Sequence, residues 1–377
     1  MCIRDRLGIG AGLNKRKISG KNSRNWGALG WLRHDILGIM LESSLQNEIL
    51  KDLIGADYLR INSPIGNVNR RMDDISENEI ILKNKFISFD PTQRGWLNDA
   101  PGYLPPVQID EVVRAMGVGE VVESKNDQYQ VGDLVIGFTG WQTYNKTVPS
   151  DTGRFRKLSD KFPIPTTLNV LGATGITAYY GMVELGQVKE GMNVLVSGAA
   201  GATGSVAAQI AKLNGCNVIG IAGGESKCSW LKNDCGLDEV IDYKNSNVAD
   251  ELKTKAKNGI DLFFDNVGGE ILESALNHIN LNAKVLLCGG ISGYNSTEPL
   301  PGPRNLMNLV IRRATIEGFL VMDYLPNSKK ALEQLEEYLE NNQLEHQEDI
   351  LTGIENCPDA LNRLFTGQNI GKQLVEV

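Results

Sequence analysis

Histidine is scarce in this chain, with three in 377 residues: His34, His278 and His346. A catalytic zinc needs a histidine and a cysteine at ligand spacing, and a structural zinc needs four clustered cysteines. Neither pattern is present. Cys2, Cys216, Cys228, Cys235, Cys288 and Cys357 form no C-x-x-C pair, while His278 and His346 fall in stretches that read as helix, as surface or packing residues. A protein without zinc is expected. The scattered cysteines also argue against a disulfide framework and for a reducing, cytoplasmic setting. No apolar run approaches the ~20 residues of a membrane span, so no membrane partner is expected. The G-x-S-x-G elbow of serine hydrolases is missing as well. A net charge of −8 argues against nucleic acid as a partner, although net charge says nothing about a local basic pocket.

Glycine, by contrast, is plentiful at 41 residues, in a chain that is 41% apolar and 22% charged, the balance of a soluble globular protein. The length suits two domains better than one core. The first 34 residues carry eight basic residues against one acid, Asp5. Three readings stand for them. Met1 to Arg6 (MCIRDR) resembles translated sequencing adapter and so an artefactual start; the stretch is a disordered tail; or it is a transit peptide, which shares the basic bias. Residues 36–54 space their apolar positions as an amphipathic helix does.

Between about Tyr58 and Tyr144, short apolar runs at Ile80–Leu82, Phe86–Phe89, Gly117–Val122 and Asp133–Phe138 alternate with turn signals such as Val131-Gly132-Asp133. This predicts a β-rich domain. From about Gly172 the rhythm changes. Strands are expected over 193–197, 217–222, 239–241, 262–264 and 284–287, and helices over 202–214, 226–234, 247–257 and 270–279. Such alternation predicts a parallel sheet covered on both faces. A helix-rich tail follows, clearest over 329–339, and residues 373–377 read as a closing strand.

The most informative stretch is Val194 to Ser205, VLVSGAAGATGS. A strand enters a turn of small residues and a helix leaves it. Gly201 and Gly204 match the last two glycines of the dinucleotide fingerprint G-x-G-x-x-G, with Ala199 in the first position. Small residues let the backbone approach a pyrophosphate, whose charge then meets the unpaired N–H groups of the helix N-terminus. Gly204 would also let the helix pack closely on its strand. A turn with no ligand is the bland alternative, and the βα units that follow weigh against it.

Coenzyme choice is read one strand later. An NAD site carries an acid at that strand tip to bond the ribose 2′-hydroxyl. Here the strand ends in Gly223-Gly224-Glu225-Ser226-Lys227. The small tip leaves room for a 2′-phosphate, with Lys227 supplying charge and Ser226 a hydroxyl. Glu225 would oppose this if it faced inward. NADPH is expected over NADH, with an exposed helix lysine as the alternative for Lys227.

Further blocks stand in order along the chain: Ser88-Phe89-Asp90-Pro91 with Arg94-Gly95, Gly140-Trp141-Gln142, Gly175 to Tyr179, Phe264-Asp265-Asn266-Val267-Gly268-Gly269, Cys288 to Asn295, Pro301-Gly302-Pro303, Gly318-Phe319 and Asn369-Ile370-Gly371-Lys372. With these blocks the segment from about Tyr58 onward resembles the zinc-independent medium-chain dehydrogenase/reductase family, the branch of prostaglandin reductases, leukotriene hydroxydehydrogenase, plant double-bond reductases and bacterial curcumin reductase. The resemblance implies an α/β fold, a GroES-like β domain plus a Rossmann doubly wound parallel-sheet domain. The implied division is an uncertain extension over residues 1–45, a GroES-like catalytic domain over 46–170 completed by 325–377, and an NADP-binding domain over 171–324.

It also implies NADPH-dependent reduction of the C=C bond of α,β-unsaturated aldehydes and ketones, a small enal or enone as substrate, and a homodimer. The tyrosine of the family's I-S-x-Y-N block, with the ribose 2′-hydroxyl, stabilises charge on the carbonyl oxygen. The matching residue is Tyr294, whose alternative role is to pack on the coenzyme. The implied coenzyme contacts are Gly201, Ala202, Thr203 and Gly204 at the pyrophosphate, and Lys227 and Tyr243 at the 2′-phosphate. Asn266, Cys288, Gly289, Ile291, Ser292 and Tyr294 line the nicotinamide side, and Phe319, Leu320, Val321 and Asn369 complete the set. Tyr243 reads equally well as a surface tyrosine. Where some members place a substrate-facing tyrosine in the D-P-x-M-R-G block, this chain has Thr92, and the strands before Asn84 look shortened. Quinone reduction and non-catalytic NADPH binding stay open as alternatives.

Overall fold

The computed structural model describes residues 75–99, 102–108, 111–150, 154–296, 298 and 301–377. The basic stretch over 1–34 and the helix expected over 36–54 lie outside the described residues.

The first part of the chain forms β1 (Ile80–Ser88), the short helix α1 (Thr92–Trp96), β2 (Met116–Ser124), β3 (Leu134–Phe138), β4 (Tyr144–Thr147), β5 (Arg156–Lys157) and α2 (Ile164–Leu168). The expected turn at Val131-Gly132-Asp133 leads into β3: Gly132 takes φ 93°, a conformation that suits glycine, and its N–H donates to Val121 O at 2.8 Å. Strands β1 and β2 pair antiparallel with register shifts at Ile81/Leu82 and Asn84/Phe86, irregularities that bend the strands and increase their twist.

Past Gly172 the chain forms α3 (Ala173–Tyr179), which continues as a π-helical turn over Tyr180–Leu185. Strands and helices then alternate: β6 (Asn193–Ser197), α4 (Ala202–Leu213), β7 (Asn217–Ala222), α5 (Glu225–Asn233), β8 (Glu239–Asp242), α6 (Val248–Lys255), β9 (Ile260–Asp265), α7 (Gly269–Leu276), β10 (Ile279–Leu287), α8 (Met307–Arg312) and β11 (Thr315–Gly318). The tail adds α9 (Lys329–Glu340), β12 (Glu348–Thr352), α10 (Cys357–Thr366) and β13 (Lys372–Glu376).

These strands form two sheets. One runs β12-β13-β1-β2-β3-β5, with β4 also paired to β1, so both ends of the described chain meet in it. The other runs β11-β10-β9-β6-β7-β8 and every pairing is parallel. Its central strands are buried almost without interruption, as a sheet covered by helices on both faces requires. The strand order reverses between β9 and β6. Ligands of open parallel sheets bind outside the carboxyl ends of the strands at that point.

Three expectations change. The helix expected over 270–279 stops at Leu276, because the N–H groups of Asn277 and His278 turn back onto Ser274 O and Ala275 O and His278 O accepts from Ile260 N at 2.9 Å. His278 is therefore on a bend between α7 and β10 and not in a helix. His346 is not in a helix either. Asn342 takes a left-handed φ of 53° just after α9, and His346 sits on the crossing segment with Nδ1 2.7 Å from Glu348 Oε1. The crossing itself comes later than residue 325. The apolar face of α9 puts Ala331 and Leu335, followed by Leu344, in one core cluster with Val196 and Ala207. Burying that face against the parallel sheet holds the chain there until Glu345, whose N–H donates to Gln209 Oε1 at 2.7 Å.

Candidate functional site

A cleft of about 1300 Å³ is lined by residues of both sheets and their loops. Every residue the sequence reading placed at the coenzyme lines it: Gly201, Ala202, Thr203, Gly204, Lys227, Tyr243, Asn266, Cys288, Gly289, Ile291, Ser292, Tyr294, Phe319, Leu320, Val321 and Asn369. Ser226 does not. It is exposed on the outer face of α5, as is Glu225, so neither the expected hydroxyl nor the feared acid reaches the cleft wall.

The turn after β6 sits at the switch point. Gly198 takes φ 59°, and a Cβ on Gly204 would stand 2.2 Å from Gly198 O. No side chain fits there, so α4 begins flush against the strand end. Ser205 N closes the first helical bond, to Gly201 O at 2.9 Å, and the preceding amides, of Ala202, Thr203 and Gly204 in the cleft lining, have no intrahelical acceptor. Gly371 N donates to Ala200 O at 2.9 Å. The return segment thus clamps the turn from the first sheet's side.

A buried carboxylate organises the neighbouring loops. Asp265, fully buried at the end of β9, accepts from Ser197 Oγ at 2.6 Å, from Val267 N at 3.0 Å and from Gly268 N at 3.1 Å. Burial pushes its pKa upward, and these three donors oppose the shift by favouring its charge. Asn266 is held by its N–H on Ser197 Oγ at 2.8 Å and by Nδ2 on Ser197 O at 2.7 Å. The sequence reading assigned Asp265 no role. An acid directly after the apolar run Leu262-Phe263-Phe264, shortly before two glycines, was the available signal.

The loop after β10 rests on this platform. Cys288 N and Gly289 N both donate to Asp265 O, and Ile291 N donates to Asn266 O at 3.2 Å. Tyr294 Oη accepts from Gly290 N at 3.1 Å. Burial raises the Tyr294 pKa, so its phenol is protonated at neutral pH and its proton is available to a further acceptor. Burial likewise pushes the Cys288 thiol up to about 12, which keeps it a neutral wall residue.

At the far end of the cleft, Tyr243 packs against Gly223, where a Cβ would meet its ring at 2.7 Å. Lys227 Nζ donates to Gly367 O at 3.0 Å, and Lys244 Nζ comes within 3.8 Å of the Cβ direction of that glycine. Burial, and then repulsion from Lys244, lower the Lys227 pKa. Two lysines and a tyrosine hydroxyl thus face one point with no acid bonded to Lys227. That donor set fits a phosphate ester.

The first sheet's side uses other means. Lys372, 2% exposed, pairs with Asp90 Oδ1 at 2.5 Å and donates to Phe89 O at 3.1 Å. Arg94 is buried, and its Nε reaches Asn295 Oδ1 at 3.1 Å, beside Tyr294. The Thr92 hydroxyl contacts that of Tyr103, which lines the cleft and meets Trp96 edge-on at 6.4 Å. Among the described residues, no group of three His, Cys, Asp or Glu side chains is placed to hold a metal.

Fold and site together define a two-lobed α/β protein with a dinucleotide cleft. A family model described as N-terminal domain of oxidoreductase matches residues 67–155, and one described as zinc-binding dehydrogenase matches residues 202–337. The NADPH-dependent curcumin reductase of Escherichia coli is 36% identical over 314 residues, covering 81% of this chain and 90% of that protein. The NADP(+)-dependent 2-alkenal reductase of Nicotiana tabacum is 36% identical over 340 residues, covering 89% and 98%. The crystal structure of CurA from Vibrio vulnificus in complex with NADPH superposes with a TM-score of 0.76 at 37% identity, covering 81% of this chain and 92% of that one. The chain belongs to the zinc-independent medium-chain dehydrogenase/reductase family.

Proposed function

We propose that this chain reduces the C=C bond of α,β-unsaturated aldehydes and ketones with NADPH. The observation that carries the reading is Tyr294: a protonated phenol in the cleft, on a loop pinned to the switch point through Asp265 and Asn266. The relatives named above act as an NADPH-dependent curcumin reductase and a 2-alkenal reductase, which supports the same class of substrate.

The first-turn amides of Ala202, Thr203 and Gly204 hold the pyrophosphate, and Lys227, Tyr243 and Lys244 hold the 2′-phosphate. Bound NADPH supplies a hydride for the substrate's β-carbon. Negative charge then gathers on the carbonyl oxygen, where the Tyr294 O–H donates to it, and the enolate takes up a proton from solvent at its α-carbon to complete the reduction. Aimed at charge that develops only in the transition state, such a donor lowers the barrier. Gly290 N already occupies one lone pair of Tyr294 Oη, which orients the O–H and leaves it free to donate. Phe319, Leu320 and Val321 wall the nicotinamide side and exclude water.

The working unit in this reading is a homodimer. Strand β11 is an edge strand exposed along its whole length. Beside it, α8 presents Met307 at 65%, Val310 at 69% and Ile311 at 60% exposure. An open edge beside an apolar helix face is a liability that a second copy removes by two-fold pairing. Light scattering should give twice the chain mass, and a monomer at micromolar concentration would sink this part.

The reading is tested by following NADPH consumption with a panel of enals and enones, with NADH in parallel. Turnover of at least one enone with NADPH, and much less with NADH, is expected. A folded protein that consumes NADPH with none of them is not this enzyme.

A further inference from the structure

Tyr294 is held from two sides. Its loop rests on the parallel sheet through Asp265 and Asn266, and the Ser292 hydroxyl donates to Val267 O at 2.6 Å. The next residue, Asn295, reaches the first sheet's side. Its Oδ1 accepts from Arg94 Nε at 3.1 Å, across 201 positions of chain. The cleft lining includes Tyr294 but neither Asn295 nor Arg94.

Arg94 is costly to hold where it stands. It is 4% exposed, and burial lowers its pKa with no neighbouring charge among the described residues to offset the shift. Its guanidinium bonds two side-chain amide oxygens, Asn295 Oδ1 and Asn98 Oδ1. A buried charge answered by neutral groups is a poor way to stabilise a fold. Its task is better sought in what it fixes in place.

The base of that contact is firm. Arg94 lies in α1, whose Thr92 and Trp96 line the cleft. Gln93, 1% exposed, ties the same helix to β1 through Nε2 on Ser88 O at 2.9 Å. Just before the helix, Lys372 holds Phe89 O and Asp90. The element that carries part of the substrate wall therefore also carries the donor that grips the Tyr294 loop.

We infer that Arg94 and Asn295 form a strut that sets the distance between Tyr294 and the substrate wall, which makes both of them positioning residues for the reduction. A planar guanidinium is preorganised and loses little freedom per bond formed, so it suits a fixed span. Without the strut, Tyr294 keeps its proton and loses its aim. The inference rests on the reading of Tyr294 as the donor to the carbonyl oxygen.

The test compares kcat on one enone, at saturating NADPH, for the native protein, Asn295→Ala, Tyr294→Phe and the double variant. Asn295→Ala should lower kcat by about tenfold or more, since a displacement of about 1 Å can cost on the order of 10²-fold. The Michaelis constant for NADPH should stay where it was. In the Tyr294→Phe background the same substitution should change nothing further, because residues that act through one group are not additive. Arg94→Met should reproduce both results. Asn295 is half-buried on a loop, so its variant carries the test if Arg94→Met does not fold. An equal loss in both backgrounds, or a loss that falls on the Michaelis constant for NADPH, overturns the inference. A slow Tyr294→Phe beside an unimpaired Asn295→Ala sinks the strut alone. A Tyr294→Phe as fast as the native protein, or a native protein that turns over no enone, sinks the reading of Tyr294 and the strut with it.

Discussion

The two walls of the cleft are built on different principles. The coenzyme wall is backbone: the Gly198–Gly204 turn, the amides of α4 and the carbonyls that carry the 288–294 loop. The substrate wall is side chain: the Asp90–Lys372 pair, Arg94 on Asn295 and the Thr92–Tyr103 contact. Backbone recognition demands a particular local conformation and so leaves small residues at fixed spacing. Side-chain recognition is assembled from residues 201 apart in one case and 282 apart in another, and leaves no spacing to find.

The largest expected effect is on the coenzyme wall. Gly204→Val should abolish the thermal stabilisation that NADPH gives the native protein, since a Cβ there stands 2.2 Å from Gly198 O. A variant still stabilised by NADPH would show that the turn tolerates side chains, and the contrast between the walls would weaken. Next is Lys372→Met, which leaves Asp90, half-buried at the cleft wall, without its cation. Breaking one partner of a fully buried pair costs about 3–5 kcal/mol, and removing both costs less; with Asp90 24% exposed the cost here falls below that range. Urea unfolding of Lys372→Met and of Lys372→Met/Asp90→Asn should show the double variant as the more stable of the two.

Tyr294→Phe sharpens the comparison, because it is a side chain on the backbone wall. Loss of one donor to a developing oxyanion costs about 10²-fold in kcat, with the Michaelis constant for NADPH little changed. Unaltered turnover on an enone would remove Tyr294 from the chemistry. Lys227→Ala should raise the Michaelis constant for NADPH by about tenfold, the worth of one charged hydrogen bond, and leave that for NADH alone.

The smallest effect is at the crossing segment. The hydrogen bond to Glu348 raises the His346 pKa above its usual 6.5. The pair's contribution is therefore fully present below about 6.5 and is lost as pH rises through the higher folded value. Burial works against Glu348, but His346 and Asn169 hold its pKa below 4.5, so the carboxylate stays charged across that window. The melting temperature of the native protein, relative to His346→Gln, should fall as pH rises above about 6.5. A difference that stays flat with pH would discount the pair.

Much of the parallel sheet was legible in the sequence. Periods of strand and helix over 193–287 come within a few residues of the observed elements, because burial on both faces imposes continuous apolar runs. The edge strand β11 escaped notice since its residues are exposed, and β12 because its residues are half-buried or exposed, its apolar Ile350 among the exposed. The helical readings of the two histidines failed where turns decided them, at His278 and, beyond the left-handed Asn342, at His346. At the site, Gly201, Gly204 and Lys227 could be read from spacing and chemistry. Tyr294, Asn266 and Asn369 came from the family resemblance. Asp265 and Lys244 needed coordinates, since their meaning lies in what they face.

The central claim is that the turn over residues 198–204 seats the pyrophosphate while Lys227 and its neighbours hold the 2′-phosphate. Calorimetric titration of the purified protein with NADPH and with NADH tests it most directly. Saturable binding of NADPH, at least tenfold tighter than NADH and weakened toward the NADH value in Lys227→Ala, is the predicted result. A folded protein that binds neither, or binds both equally, contradicts it.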